Sequence, residues 1–338
     1  MAISTVCRVP GKLILSGEHA VGHGCKAVAV AINRYVTTEL MRKETHEVVF
    51  DLAGYGLQEK RSYTELASIT QKLDMQYQKF IIKKTSIPKV YPVELLQYTF
   101  YKALLDAKLP LTQGLHFRIQ TDLPIGCGLG SSAAVIISIL SVCNQFYQAK
   151  WNNEKLLQLG RTAENLQHGY SSGFDLAVVL QGGCQLFQAG HTTPLKIPKM
   201  SFQVVYTGTP KANTGECVAH TSALLQDPLL KREFNEMTLE FISALKTGDH
   251  DNLLRTIKLN HQLLCQIGVV PSKIQQFIAT IENHGMAGKI CGAGSIHGDN
   301  AGIVWIVGEL TPTIESLIKD YGYQTLTLEQ EPHGTTLL

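Results

Sequence analysis

"DLPIGCGLGSSAAVIISIL", residues 122 to 140, sets Gly126, Gly128 and Gly130 at alternate positions ahead of two serines and an almost wholly apolar stretch. A glycine loop that feeds a helix offers several backbone N–H groups plus the helix N-terminus, and together these favour a phosphate or another anion. Familiar nucleotide signatures do not fit it. A dinucleotide fingerprint needs GxGxxG, and Ser131 stands where its third glycine belongs. A P-loop needs a lysine after its last glycine, and none follows Gly130. A protein kinase would add HRD and DFG, and both are missing. On this loop alone, a glycine turn that merely tightens a strand-to-helix join stays open.

The chain around the loop has the make-up of an enzyme-sized globular protein. Its 338 residues, 44% hydrophobic and 17% charged, are enough to bury a large core and to form two domains. Thirty basic side chains face 28 acidic ones with no Lys/Arg cluster, which argues against nucleic acid or an anionic membrane as a partner. The opening "MAISTVCRVPGK" lacks the apolar core of a secretory signal, and Ala133 to Leu140 is too short to span a bilayer. Eight cysteines, at 7, 25, 127, 143, 184, 217, 265 and 291, form no CxxC pair. They read as buried thiols of a reducing cytoplasm, with neither a disulfide framework nor a zinc site.

Strand-like runs dominate up to about Phe187: "KLILSG", "AVAVAINRYVTTEL" with Val28, Val30 and Ile32 alternating, "EVVFDL", and "GLHFRIQTDL". The stretch "HTTPLKIPKM", 191 to 200, breaks the pattern and marks a domain edge, giving domains 1–190 and 191–338. After the strand "SFQVVYTG", residues 214 to 284 read as helical almost throughout. A strand, a glycine loop and a strand in "GKICGAGSIHGDNAGIVWIVG" follow, then a helix near "TIESLIKDYG" and a strand near "YQTLTLE". Strands and helices segregated in this way predict an α+β arrangement.

Two further segments carry chemistry. In "VPGKLILSGEHAVGHG", 9 to 24, Lys12 heads an apolar strand, well placed to meet phosphate or carboxylate, and Glu18 and His19 follow the strand. A snorkelling surface lysine is the plain alternative. His19 and His23 stand four apart, but Gly22 and Gly24 break any helix that could make them a metal pair. In residues 152 to 183, Asn152 or Asn153 caps a helix with an apolar stripe of Leu156, Leu159, Ala163 and Leu166, ending at Gly169. Glu164 lies beside that stripe. The turn "SSG" then delivers Asp175 at the start of a predicted strand, "DLAVVL". A solvated glutamate and a turn aspartate are the alternatives.

"PGKLILSGEHAVGHG", "LPIGCGLGSSAA" and "GAGSIHGDNAGI" together resemble, in order and approximate spacing, the three motifs of the GHMP kinases. "GEHAVGHG" and the block of Glu164, His168-Gly169, Ser172-Gly173 and Asp175 are most similar to the mevalonate kinases of that family. The third motif departs from the family's GAGGGG form, since Ser295, Ile296 and His297 interrupt the glycines. "SSGFDLA" and the Gly298-Asp299 step also resemble phosphomevalonate kinases, which stay open as the alternative, as does a non-catalytic binding protein of the fold.

The resemblance implies a two-domain fold: an N-terminal domain with a left-handed βαβ crossover and a C-terminal ferredoxin-like domain. It implies ATP-dependent phosphorylation of the primary hydroxyl of mevalonate, with Mg²⁺, in a cytoplasmic protein, and leaves a homodimer open. The residues it implies for ATP are Lys12, Thr121, Gly126, Cys127, Gly128, Leu129, Gly130, Ser131 and Ser132. Ser132 and Glu164 would hold Mg²⁺. Asp175, with Lys12 beside it, would face the reacting hydroxyl, and Glu18 and His19 would meet the substrate, Glu18 fixing the orientation of His19. The altered third loop would stand further from the phosphates or use Ser295 or His297 as a donor.

Overall fold

The computed structural model describes residues 4–83, 87–109, 112–124 and 126–338. Ile125 of the glycine loop falls outside them. The first half of the chain supplies strands β1 (Ser4–Ser16), β2 (Ala27–Lys43), β3 (Val48–Leu52), β4 (Leu57–Arg61), β5 (Gly114–Thr121), β6 (Cys184–Gln188) and β7 (His191–Pro194). Its helices are α1 (Tyr63–Lys83), α2 (Pro92–Asp106), α3 (Ser131–Tyr147), α4 (Asn153–His168) and α5 (Phe174–Gln181). The second half supplies β8 (Ser201–Tyr206), α6 (Thr214–Ser222), α7 (Pro228–Thr247), α8 (His250–Gln266), α9 (Ser272–Glu282), β9 (Ala287–Ile290), β10 (Ile303–Val307), α10 (Pro312–Asp320), β11 (Gln324–Glu329) and β12 (Thr336–Leu337).

The long β2 is the axis of the first sheet, which runs β12-β1-β2-β5-β3-β4, with β6 also on β2 and β7 on β6. Alternation in β2 predicts one buried face, yet residues 27 to 32 are buried on both. The reason is α5: Phe174 and Val178 cover Ala27, Ala29 and Ala31, while Val28, Val30 and Ile32 face the main core. Small residues on the α5 side let that helix approach closely.

Two predicted elements differ in type or placement. "DLAVVL" is helix α5, with Gly173 at its N-cap in the left-handed region and Asp175 in its first turn. A short, uniformly apolar run has no period that separates a buried helix from a buried strand, and burial against β1, β2 and α3 decides for the helix here. Lys12 lies within β1, opposite Ala31, rather than at a strand's head. Helix α4 is capped as expected, the Asn152 side chain accepting from the Lys155 N–H at 2.9 Å, and ends at Gly169. Helix α3 is apolar on nearly all sides because it lies against β1 and β2 with α2, α4 and α5 around it. Truncating its Ile136 to alanine would cost about 2–5 kcal/mol.

The second sheet runs β11-β8-β10-β9, every neighbour antiparallel. With helices between β8 and β9 and α10 between β10 and β11, this is the interleaved βαβ pattern of a ferredoxin-like domain. The change of sheet falls between Pro194 and Ser201, inside the predicted edge. The chain then returns to the first sheet: the Glu331 N–H donates to the Ala31 carbonyl at 2.8 Å, and β12 pairs with β1. Among the described residues no disulfide links the cysteines, and no helix is long and apolar enough to cross a membrane.

Candidate functional site

A cleft of about 270 Å³ opens where the three motif loops meet. Gly126, Gly128 and Gly130 all hold positive φ, at 71°, 94° and 76°. Space as well as conformation demands glycine here: a Cβ on Gly128 would strike the Cys291 carbonyl, and one on Gly130 would come within 2.7 Å of Lys12 Cγ. The loop is thus laid against Lys12 in front and residues 291–292 behind. The Lys12 N–H donates to the Leu129 carbonyl at 2.9 Å and the Ile303 N–H to the Cys127 carbonyl at 3.1 Å. The N-cap of α3 is Gly130, which has no side chain to cap it, so the helix N-terminus offers N–H groups to an anion.

Across the cleft, Lys12 Nζ meets Asp175 Oδ2 at 2.9 Å. The lysine is 2% exposed and the aspartate 33%, so the ammonium is held from within and the carboxylate faces the opening. Lining the same wall, Glu164 is 3% exposed and accepts from the Ser171 hydroxyl. Burial, and then repulsion from Asp175, push its carboxyl up to about 7, against the Ser171 hydrogen bond and the nearby Lys12 and Arg161. Two carboxylates therefore share one lysine, a place that calls for another cation. The Ser132 hydroxyl points into this corner and donates to Gln167 Oε1. His168 also lines it; burial lowers its pKa to about 4, and its Nδ1 has no partner.

His19 stands at φ 60°, ψ −52°, the centre of a tight turn closed by the Ala20 N–H donating to the Glu18 carbonyl at 2.6 Å. This γ-turn geometry is rare and strained for a residue with a side chain. The ring lines the cleft, its Nε2 3.0 Å from the Ala293 carbonyl and its Nδ1 3.5 Å from the Thr221 hydroxyl. Burial lowers its pKa to about 4, which keeps it neutral and makes Nε2 the donor to Ala293. Glu18 makes no direct bond to the His19 ring. Both Glu18 oxygens are engaged away from the ring, one by the Lys289 ammonium and one by the Asn260 amide at 3.3 Å.

Of the residues expected to touch ligands, Lys12, Glu18, His19, Thr121, Gly126, Cys127, Gly128, Gly130, Ser131, Ser132, Glu164 and Asp175 line this one cleft. Leu129 does not: its side chain is core, and only its carbonyl serves the loop. Ser295 and His297 do not either. The Ser295 hydroxyl is buried, donating to the His297 carbonyl at 2.6 Å, and the His297 side chain is exposed outside the cleft. The third loop reaches the cleft through Gly292 and Ala293 instead. Sequence reasoning missed Gln167, Ser171 and Lys289. Only Lys289 left a signal, a lone cation inside the apolar strand "GKIC".

Residues 95–183 match the GHMP kinases N terminal domain and residues 241–297 the GHMP kinases C terminal domain. The mevalonate kinase of Archaeoglobus fulgidus is 26% identical over 86% of this chain and 89% of its own length. The Mus musculus mevalonate kinase is also 26% identical, over 94% and 89%. A crystal structure of a mevalonate kinase superposes with a TM-score of 0.76 at 20% identity, covering 97% of this chain and 99% of that one, which speaks for the fold. The chain thus matches both the N terminal and the C terminal GHMP kinase domain, in that order.

Proposed function

We propose that the protein is an ATP-dependent mevalonate kinase, transferring the γ-phosphoryl group of ATP to the primary hydroxyl of mevalonate. The observation that carries the reading is the Lys12–Asp175 pair in a cleft walled by the glycine loop, with no other lysine or arginine among the described lining residues. Phosphoryl transfer passes through a loose transition state, so the protein has mainly to align two oxygens and neutralise charge. Asp175 accepts the hydrogen bond and then the proton of the alcohol. Lys12 balances that carboxylate and draws the transferring group toward it. The glycine loop and the first N–H groups of α3 hold the phosphates of ATP, and the apolar end of the cleft, at Leu52, Leu96, Ile119 and Val135, takes the base.

Ser132 and Glu164 are the residues we assign to Mg²⁺. The donor set fits: one hydroxyl and one carboxylate, crowded by a second carboxylate that raises its pKa, suit a hard cation completed by phosphate oxygens and water. No group of three acidic, histidine or cysteine side chains among the described residues could hold a metal without such help. Bound there, Mg²⁺ would neutralise charge on the transferring phosphates.

A phosphomevalonate substrate would bring a second phosphate. Lys26, Arg34 and Lys211, the cations that could have met it, are not among the residues lining the cleft, and a desolvated phosphate without a partner is costly. The reading carries a cytoplasmic setting with it, supported by cysteines that form no disulfide. An ADP-release assay run in parallel on mevalonate, phosphomevalonate, homoserine and galactose tests it: turnover concentrated in mevalonate is expected. Release with none of the four would make the protein a binder.

A further inference from the structure

Resting on the reading of the cleft as a mevalonate site, we infer that Lys289 is a positioning residue: from the C-terminal domain it clasps Glu18 and so holds the strained turn that presents His19 to the substrate.

Lys289 lies on β9 and is fully buried, at 0% exposure, and Glu18 is 1% exposed. The ammonium bonds to the Glu18 carboxylate and also donates to the carbonyls of Ile290, at 2.8 Å, and Ile14, at 3.4 Å. Asn260 on α8 serves the other carboxylate oxygen. A buried pair is tolerated only when its remaining valences are met in this way, and such pairs are a poor source of stability, so what this one fixes is geometry.

What it fixes is specific. Gly17, at φ 88°, takes a conformation that glycine enters freely, but His19, at φ 60°, holds one that a residue with a side chain does not adopt unaided. Beyond Glu18 and His19, the neighbouring residues are also bound to the C-terminal domain. Ser16 Oγ lies 2.8 Å from Thr238 Oγ1, and the Lys26 N–H donates to Asn235 Oδ1 at 2.8 Å. Four residues after Lys289 on the same strand-to-loop segment, the Ala293 carbonyl accepts from His19. Between them Gly292 rests on Gly128, where an added Cβ would come within 2.8 Å of Gly128 Cα. One short segment, 289 to 293, therefore grips the substrate side at two points and backs the nucleotide loop at a third. Removing the ammonium loosens the first grip and leaves the third.

Lys289→Met alone strands a buried carboxylate and can prevent folding, so the decisive variant is Lys289→Met combined with Glu18→Gln, which removes both charges together. Expected are a folded protein, a KM for mevalonate raised about tenfold or more, and a KM for ATP within about threefold of the parent. In the ligand-free variant the ¹⁵N-labelled His19 ring, which faces His23 and His220, should titrate nearer to the ordinary histidine value of about 6.5 than to the parent's. Two KM values that stay put or rise together, with a His19 titration like the parent's, would overturn the clasp. Failure of the parent itself to turn over mevalonate would refute the substrate reading instead. The His19 titration then decides the clasp alone: a shift upholds it, and none refutes it.

Discussion

Two carboxylates and one ammonium meet at the floor of the cleft, and their roles separate by exposure. Asp175, the more open, is the one we assign to the reacting alcohol, so Asp175→Asn should leave ATP binding intact and lower kcat about a hundredfold or more. Lys12→Met should also lower kcat, and the double variant should cost less than the two losses added, because the pair acts as a unit. Steady-state kinetics of the three variants check this, and near-normal turnover in Asp175→Asn would contradict it. Glu164, the more buried, behaves differently. Its raised folded-state pKa means that the ligand-free protein holds the proton more tightly than the unfolded chain does. The associated stability is complete below about pH 4.5 and is lost as pH rises through about 7. Glu164→Gln should therefore melt above the parent at about pH 8 without ligands, by on the order of 1–3 kcal/mol, and match it near pH 4. The same variant should need more Mg²⁺ for half-maximal rate. The resemblance to the GHMP kinases pointed to these residues and to Lys12 beside Asp175, but not to the partner of Glu18. Glu18 reads in the sequence as a direct partner of the His19 ring because the two are adjacent in the chain, whereas its carboxylate bonds to Lys289, 271 positions away.

At the scale of elements, the site depends on two glycine loops set back to back. Gly128→Ala would force a side chain onto a backbone at φ 94° and against the Cys291 carbonyl. A loss of about 1–3 kcal/mol of stability is expected, with an ATP KM raised well beyond that of a change at Gly190, a positive-φ glycine with open space around it. Equal effects at both positions, in melting and in KM, would contradict the packing account. His297, in contrast, points away from the cleft, so His297→Ala should leave the pH profile of the ATP KM as it is. A profile that flattens in the variant would bring the ring back to the phosphates. Local signals were legible where they were strongly periodic or capped, as in α4 with Asn152 and Gly169 at its ends. They were illegible in α5, because what makes "DLAVVL" a helix is the surface it packs on.

On the scale of the whole molecule, the change of sheet after Pro194 was legible in a run of proline, threonine and lysine that breaks the preceding pattern, although its first four residues still pair as β7. The return of the last strand to β1 was not, since it is set by pairing across the entire chain. Folding also buries three neutral histidines, His19, His168 and His261, each with its pKa lowered to about 4, chiefly by burial. The unfolded chain takes up their protons near pH 6.5, so their contribution is present above that value and is lost as pH falls toward 4. Glu164 pulls the opposite way, but three groups outweigh one. The melting temperature should fall between about pH 6.5 and pH 4, and His261→Gln, which lies outside the cleft lining, should flatten the fall. A melting temperature level across that window would mean that the rings are charged or exposed.

On the function proposed above, one cleft furnished with a single lysine among its described lining residues phosphorylates mevalonate. The most direct measurement is kcat/KM for mevalonate and for phosphomevalonate under the same conditions. A preference for mevalonate of about a hundredfold or more is expected, the equivalent of about 3 kcal/mol of unmet phosphate. Equal efficiency, or a preference for phosphomevalonate, would contradict it.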